Sequence, residues 1–155
     1  MINFNTILES SIQAEIVEKK SRFIANLFYV ENPEEAELRI KEIKKKYHDA
    51  KHNCFAYLTF ENGEIYKKFS DDGEPSGTAG APMMEIIEKE NLRNVLVVVT
   101  RYFGGILLGT GGLVRAYSDA LKEAIKKATL VSKEHRIWNE YKDSICRFRK
   151  IQILL

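Results

Sequence analysis

Polar and apolar residues alternate along several short segments of the chain, a period typical of strands with one buried face. Residues 12–16 alternate in this way, and the largely apolar segment 23–30 follows after a polar turn, so the two predict a β-hairpin. Residues 54–60 and 65–69 predict a second hairpin, because Asn62-Gly63 between them is a strong two-residue turn signal.

Other segments have apolar residues at helical spacing. One helix begins at Asn32-Pro33, a capping residue followed by a proline suited to the first helical position. A second is predicted at 82–90 and a third from Gly109. The buried stripe of the third helix is formed by Leu113, Tyr117, Ala120, Leu121, Ala124, Ile125 and Ala128. Residues 95–100 are continuously apolar and too few for a helix, which predicts a central strand covered on both faces.

Glycine is concentrated in residues 71–117, which hold eight of the nine glycines and two of the three prolines. Because glycine costs folding entropy, it is kept where the backbone needs positive φ or a close approach. The stretch therefore predicts two shaped loops, one before the second helix and one after the central strand.

Composition narrows the class of protein. The 155 residues suffice for one domain with a core, and the formal net charge is +2. Residues 131–155 carry six Lys and Arg against three Asp and Glu, so the remaining 130 residues carry −1. A near-neutral body argues against broad nucleic-acid binding. Cys54 and Cys146 show neither metal-ligand nor disulfide spacing, and no apolar run has membrane-spanning length, so we expect a cytoplasmic protein.

The first glycine-rich loop is acidic. Asp71, Asp72 and Glu74 could hold a divalent metal or supply a general base, or they could form a turn and cap backbone groups. Ser76, Thr78 and Gly80 lead into a helix, where hydroxyls and amides suit either an anion or ordinary capping.

The second glycine-rich loop lies between two arginines. Its glycines nearly match a phosphate loop but lack the required lysine, and they miss the dinucleotide-binding pattern. Arg101 and Arg115 could still grip a phosphate near the start of the third helix, or the glycines could allow that helix to lie close to the sheet. His48 and His52 are four residues apart but have no obvious third ligand, so no metal site is predicted.

Four segments together resemble the signature of the YigZ/IMPACT family. They are SRFI at 21–24, HNCFAY at 52–57, DGEPSGTAGAP at 72–82 and VVVTRYFGGILLGTGGLVRAYSDAL at 97–121. The resemblance covers about residues 1–130. It implies an α/β fold of the α+β two-layer kind, with a mixed sheet and helices on one face, similar to domain IV of elongation factor G. It also implies a role in translation, since eukaryotic relatives compete for the activator of an initiation-factor kinase.

The resemblance carries a set of signature positions and assigns none of them a catalytic role. They are Asp71, Asp72, Gly73, Glu74, Pro75, Gly77, Thr78, Gly80, Arg101, Tyr102, Gly104, Gly105, Gly109, Gly111, Gly112, Arg115 and Tyr117.

The domain division follows from the same resemblance. Residues 1–130 form the expected family domain. Bacterial members continue into a second, ferredoxin-like domain, whereas residues 131–155 show no clean periodicity. We expect 131–155 to be an aberrant or truncated remnant of that domain, produced by a shift of reading frame and packing poorly from about Val131.

Two hypotheses from different classes follow. The first is a non-enzymatic, translation-associated regulator that binds a ribosomal, RNA or protein partner through its glycine-rich loops, with no cofactor, metal or membrane. The second is an enzyme acting on a phosphorylated small molecule in a cleft between the acids of the first loop and the two arginines. If the strands before the loops run parallel, both loops face one cleft. The predicted binding residues are Asp71, Asp72, Glu74, Ser76, Thr78, Gly80, Arg101, Tyr102, Gly104, Gly105, Gly109, Gly111, Gly112 and Arg115.

Overall fold

The computed structural model describes residues 2–138 and 145–154. Strands and helices alternate irregularly along these residues. In chain order they are β1 (Ile2–Ile7), β2 (Ser11–Glu18), β3 (Ser21–Tyr29), α1 (Pro33–Lys46), β4 (His52–Glu61), β5 (Glu64–Ser70), α2 (Gly80–Lys89), β6 (Val95–Tyr102), α3 (Gly109–Lys127), β7 (Leu130–Trp138) and β8 (Ile145–Leu154).

Local chemistry explains two of these elements directly. At the start of α1 the side chain of Asn32 accepts a hydrogen bond from the Glu35 amide at 2.8 Å, so the predicted cap is confirmed. Between β4 and β5, Asn62 has φ 53° and Gly63 has φ 80°. Positive φ at both central residues is what a two-residue hairpin turn of this kind requires, so the second predicted hairpin is confirmed as well.

The larger sheet has the strand order β2-β3-β6-β4-β5, and every neighbouring pair is antiparallel. β6 lies at its centre and is buried from Val95 to Arg101, as the continuous apolar run predicted. Both β5 and β6 pair antiparallel with β4, so they run in the same direction. The loop after β5 and the loop after β6 therefore leave the sheet at the same end.

Both faces of this sheet are covered. Val97 and Val99 of β6 belong to the core beneath α2 and α3, while Leu96 and Val98 belong to a second core beneath α1. These four side chains have no exposed surface. Burial of side chains of this size contributes about 1.5–3 kcal/mol each, which accounts for the continuous apolar run of β6.

The predicted α+β class is confirmed, but two details of the expected architecture are wrong. The larger sheet is antiparallel throughout and not mixed, because hairpins join its neighbouring strands wherever the chain connects them directly. The helices are not all on one face, since α1 packs opposite α2 and α3. A central strand that is apolar on both faces needs this second cover.

A smaller sheet of order β1-β7-β8 was not predicted from the sequence. Val131 pairs with Thr6 and is 2% exposed, so the expected poor packing from about that residue is wrong there. Residues 139–144 and 155 of the predicted remnant lie outside the described residues. The origin of 131–155 as a remnant of a second domain stays a prediction.

Candidate functional site

Asp71 organises the loop between β5 and α2. Its Oδ1 accepts hydrogen bonds from the amides of Ala79 at 3.1 Å and Gly80 at 2.8 Å, and its Oδ2 accepts one from Gly77 at 2.9 Å. Ala79, at the cap position of α2, makes no side-chain cap of its own. A carboxylate at a helix N-terminus also meets the positive end of the helix dipole. Asp71 thus caps α2 from eight residues upstream.

Asp72 and Thr78 of this loop are also bonded to the backbone. Asp72 has φ 41°, and its Oδ2 accepts a hydrogen bond from the Asn53 amide at 2.8 Å, which ties the loop to the start of β4. Thr78 Oγ1 donates to the Pro75 carbonyl at 2.6 Å. Ser76 is exposed. Of the two sequence interpretations, capping and turn formation describe Asp71, Asp72 and Thr78.

Glu74 differs from its neighbours because it is buried and paired with a buried cation. Its two carboxylate oxygens accept hydrogen bonds from Arg101 Nη1 at 3.0 and 2.9 Å, and Oε2 accepts a third from the Tyr117 hydroxyl at 2.6 Å. The Glu74 and Arg101 side chains are 3% and 7% exposed. Charges removed from water persist only when they are paired and hydrogen-bonded in this way.

His52 completes the polar cluster at the carboxylate. Its Nδ1 lies 2.9 Å from the carbonyl oxygen of Asp72, which can only accept, so Nδ1 carries the proton. Its Nε2 then lies toward Glu74 Oε1 at 3.5 Å. The imidazole therefore lies between the turn at Asp72, to which it is hydrogen-bonded, and the buried carboxylate.

Arg101 is held between two aromatic rings. Its guanidinium carbon lies 5.6 Å from the ring centroids of both Phe23 and Phe103, within the range of cation–π attraction. Nη2 reaches Ser21 Oγ at 3.5 Å. Nε is buried and has no hydrogen-bond partner among the described residues. The arginine is thus oriented by its surroundings while one of its donors stays unused.

Two titratable groups next to Glu74 are kept protonated. Burial raises the pKa of the Cys54 thiol to about 12, with the nearby acids adding to the shift. Burial also raises the pKa of the Tyr117 hydroxyl, helped by Cys54 and by its hydrogen bond to Glu74. Cys54 Sγ donates to the Asp71 carbonyl at 3.0 Å. Because the thiolate is the nucleophile, Cys54 is held in an unreactive form.

The loop after β6 passes very close to the β2–β3 turn. A Cβ on Gly104 would lie 2.0 Å from the Lys20 carbonyl oxygen, so only glycine fits there. The Gly104 amide donates to Ser21 Oγ at 3.2 Å. Just before the loop, the Tyr102 hydroxyl donates to Asp49 Oδ1 at 2.7 Å. This packing fixes where the loop leaves the sheet.

The remaining glycines of this loop lie in open surroundings. Gly105 has φ 93° and Gly109, the first residue of α3, has φ 76°, so both use a conformation that favours glycine. A Cβ on Gly111 would meet no atom within 4 Å, and one on Gly112 would meet only Leu108. Close packing of α3 on the sheet, one of the two sequence interpretations, therefore does not explain Gly109 or Gly111.

The two loops border one cleft of about 410 Å³ at the common end of β5 and β6. Its floor contains the buried cluster of Glu74 and Arg101. The described lining residues are Lys51, His52, Glu74, Pro75, Arg101, Phe103, Leu107, Leu108, Gly109, Thr110 and Leu113. The second loop also exposes large apolar side chains: Phe103 is 57%, Ile106 43% and Leu107 81% exposed.

The expected pair of arginine grips is not assembled. Arg101 uses Nη1 on Glu74, and Arg115 is exposed on α3 without lining the described part of the cleft. The reason is topological. Arg101 is the last buried residue of β6 and points at the first loop, whereas Arg115 lies on the helical turn between the buried residues Leu113 and Ala116.

Sequence reasoning missed several residues of the cleft. Lys51 was not singled out, and Phe103 and Leu107 were noted only within the family signature. A run of exposed apolar residues between glycines, as in 103–109, was the available signal. His52 was considered only as a metal ligand, and within the described residues no group of three or more His, Cys, Asp or Glu side chains is placed to hold a metal.

No helix among the described residues combines the length and the apolar composition that a membrane-crossing helix needs.

The sequence of this α+β domain matches a known family. The model of the Impact N-terminal domain matches residues 19–125, so the chain belongs to this family. It is 47% identical over 132 residues to the IMPACT family member YvyE of Bacillus subtilis (strain 168), covering 85% of this chain and 60% of the relative. It is 41% identical over 112 residues to the IMPACT family member YigZ of Escherichia coli (strain K12), covering 72% and 55%.

Solved structures show the same fold. One, described as the crystal structure of an hypothetical protein, matches with a TM-score of 0.79 at 35% identity, covering 87% of this chain and 66% of that chain. The two-domain translational regulator Yih1 matches with a TM-score of 0.53 at 27% identity, covering 78% and 48%. The chain thus spans at most about two thirds of the length of these proteins.

Proposed function

We propose that this chain is a cytoplasmic, non-enzymatic regulator of translation that binds a protein partner through the loop of residues 103–108. One observation carries the proposal. Phe103, Ile106 and Leu107 expose large apolar surfaces within one short loop, whose base is fixed by Gly104 against the β2–β3 turn. Clustered exposed apolar residues mark interaction sites, and a loop held by a rigid scaffold is a common place for them.

The relatives support the direction of this proposal. Yih1 is described as a translational regulator, and 78% of the residues of this chain match the fold of Yih1. The curated relatives also include proteins named IMPACT, for example the Protein IMPACT homolog of Dictyostelium discoideum at 42% identity over 97 residues. We therefore propose that the chain acts in translation and that its partner is a translation-related protein.

The enzymatic alternative has less support from the geometry. It needs free carboxylates facing arginines around a phosphorylated substrate. Asp71 instead accepts three backbone hydrogen bonds, and Glu74 is bound to Arg101 and Tyr117. These contacts occupy the groups that such chemistry would use.

Sedimentation of a tagged chain through a gradient of cell extract tests the proposal. We expect the chain to co-migrate with ribosomes or with an identified translation factor after nuclease treatment, and Leu107→Ser to abolish this. Leu38→Ser is the matched control, because Leu38 is 61% exposed on α1, away from the loop. An association that nuclease or moderate salt removes would indicate RNA and contradict the protein partner. No association with any translation component would contradict the whole proposal.

A further inference from the structure

β5 lies at one edge of the larger sheet, and among the described strands it pairs only with β4. Every residue from Glu64 to Phe69 is exposed. Three of these residues are large and apolar: Ile65 is 49%, Tyr66 43% and Phe69 47% exposed. The unpaired backbone groups of an edge strand can bond to a further strand, and the side chains then decide which strand fits. The edge of β5 is therefore a candidate interface.

The hairpin turn before β5 fixes which of its backbone groups are free. In a two-residue hairpin the residues that flank the turn form a hydrogen-bonded pair, and the two kinds of pair then alternate along the ladder. Glu61 and Glu64 are the flanking residues. The even-numbered residues of β5 thus bond to β4, whereas the amides and carbonyls of Ile65, Lys67 and Phe69 face outward. A second antiparallel copy of β5 must therefore place odd-numbered residues opposite odd-numbered ones.

The charges of β5 select one of the registers that this rule allows. When Tyr66 lies opposite Tyr66 of a second copy, Glu64 of each copy lies opposite Lys68 of the other. Two opposite-charge pairs then flank one aromatic pair, and all three pairs share a face of the sheet. The next allowed register in one direction brings Lys67 opposite Lys67, and the next in the other direction removes both charge pairs. Like charges directly opposite each other are unfavourable, so the first register is favoured.

The other face of β5 fits the same register. Phe69 lines a groove of about 470 Å³ between β5 and α2, together with Ala81, Met84, Glu85, Glu88 and Lys89. Phe69 would lie opposite Gly63 of the second copy, which has no side chain, so the ring can cover that backbone. Ile65 would lie opposite Lys67, whose methylene chain can pack along it. Both faces of the strand are thus compatible with one pairing.

We propose that two copies of this chain associate by antiparallel pairing of β5 with β5, with Tyr66 on the two-fold axis and Glu64 of each copy opposite Lys68 of the other. A two-fold axis makes each favourable contact twice and joins the two five-stranded sheets into one. Lysines on an edge strand discourage pairing with unrelated strands, whereas Glu64 makes a second copy complementary. The interface does not include the loop of residues 103–108, so it stands independently of the proposed role in translation.

Sedimentation velocity of the purified chain at about 1–500 µM tests the association. We expect a monomer–dimer equilibrium with a dissociation constant of about 10–100 µM, in keeping with a small interface. Glu64→Lys and Lys68→Glu should each weaken the dimer by about tenfold or more, because each change places two like-charge pairs in the interface. The double variant Glu64→Lys/Lys68→Glu exchanges the charges and should restore the wild-type constant within about threefold.

Lys122→Glu is the matched control for these charge reversals. Lys122 is exposed on α3, which packs against β2 and β3 on the far side of the sheet from β5. The control should change the dissociation constant by less than about twofold, because exposed charges remote from an interface are screened by salt. Far-UV circular dichroism checks that each variant is folded.

Oxidative cross-linking tests the register. In a Cys146→Ser background, Tyr66→Cys places two thiols across the two-fold axis in a non-hydrogen-bonded pair, whose Cα atoms lie about 4.5 Å apart and within disulfide reach. Lys68→Cys is the matched control, because its two copies lie four residues apart along the strands, about 13 Å. We expect a disulfide-linked dimer on a non-reducing gel for Tyr66→Cys alone.

Four results would overturn the proposal. They are a chain that stays monomeric up to about 500 µM, single charge reversals that dimerise like the wild type, a double charge exchange that fails to restore the dimer, and cross-linking of Lys68→Cys as fast as of Tyr66→Cys. A monomeric chain that binds an extended peptide at β5 would assign the edge to a foreign strand and would also contradict pairing between copies. Neither measurement involves a translation component, so failure here leaves the translation proposal to its own test.

Discussion

Glu74→Gln is the substitution that most directly tests the buried pair beneath the cleft. The change keeps the shape of the side chain and removes its charge. Arg101, which is 7% exposed, would then keep its charge with no anion bonded to it. The Glu74 carboxylate also accepts the Tyr117 hydroxyl at 2.6 Å, and an amide in its place would turn an NH2 group, which can only donate, toward one of these donors.

The expected magnitude follows from burial. Removing one partner of a buried ion pair costs about 3–5 kcal/mol, because the other charge is left without compensation. A domain of this size is stable by about 5–15 kcal/mol, so Glu74→Gln should remove a large part of that stability. Glu85 and Lys89 form an exposed pair at 3.4 Å on α2. Glu85→Gln is therefore the matched control and should cost at most about 0.5 kcal/mol.

Equilibrium unfolding in urea, followed by far-UV circular dichroism, measures both variants. The double variant Glu74→Leu/Arg101→Met should recover much of the loss, because apolar residues of similar volume replace buried ion pairs well. With the single variants Glu74→Leu and Arg101→Met, a double-mutant cycle then isolates the coupling between the two residues. If the free energy of unfolding of Glu74→Gln lies within about 1 kcal/mol of the wild-type value, the pair behaves as a solvated surface pair and the reasoning is refuted.

Four further tests address the loops and the core. Asp71→Ala should lower the free energy of unfolding by about 0.5–2 kcal/mol through loss of the α2 cap, and an unchanged urea midpoint would contradict that role. Gly104→Ala should cost about 1–3 kcal/mol, because its methyl group would meet the Lys20 carbonyl; wild-type stability would show that the two turns separate freely. In a Cys146→Ser background, Cys54 should resist a thiol reagent at pH 8 until the chain unfolds, and rapid labelling of the folded protein would contradict its burial. The pKa of the Cys54 thiol is about 12 in the folded chain and about 9 in the unfolded chain, so only the unfolded chain loses this proton between these pH values. The free energy of unfolding should therefore fall as the pH rises from about 9 to about 12, and less steeply in Cys54→Ala.

Elements set by neighbouring residues could be predicted from the sequence. The cap at Asn32, the turn at Asn62-Gly63 and the central position of β6 depend on contacts within a few residues or on a continuous apolar run. The gathering of both glycine-rich loops at one end of the sheet was also predictable once β5 and β6 were taken to run in the same direction.

The roles of the charged residues depended on the tertiary structure. The sequence indicated three acids and two arginines near the loops, but not which of them pair. Glu74 and Arg101 lie 27 residues apart and meet only because β4 lies between β5 and β6. Arg115 carries the same charge and remains exposed, because helical geometry turns it away from the buried residues beside it.

Local patterns in the amino-acid sequence thus determined the central strand, the hairpin turn, the helix starts and the family. The side of the sheet that α1 covers, the pairing of β1 with β7 and the identity of the buried ion pair were decided only by the tertiary structure. The physical reason is distance along the chain. Hydrogen bonds of turns and caps are made between neighbours and leave a mark in the sequence, whereas contacts between remote segments depend on how all the strands and helices pack together.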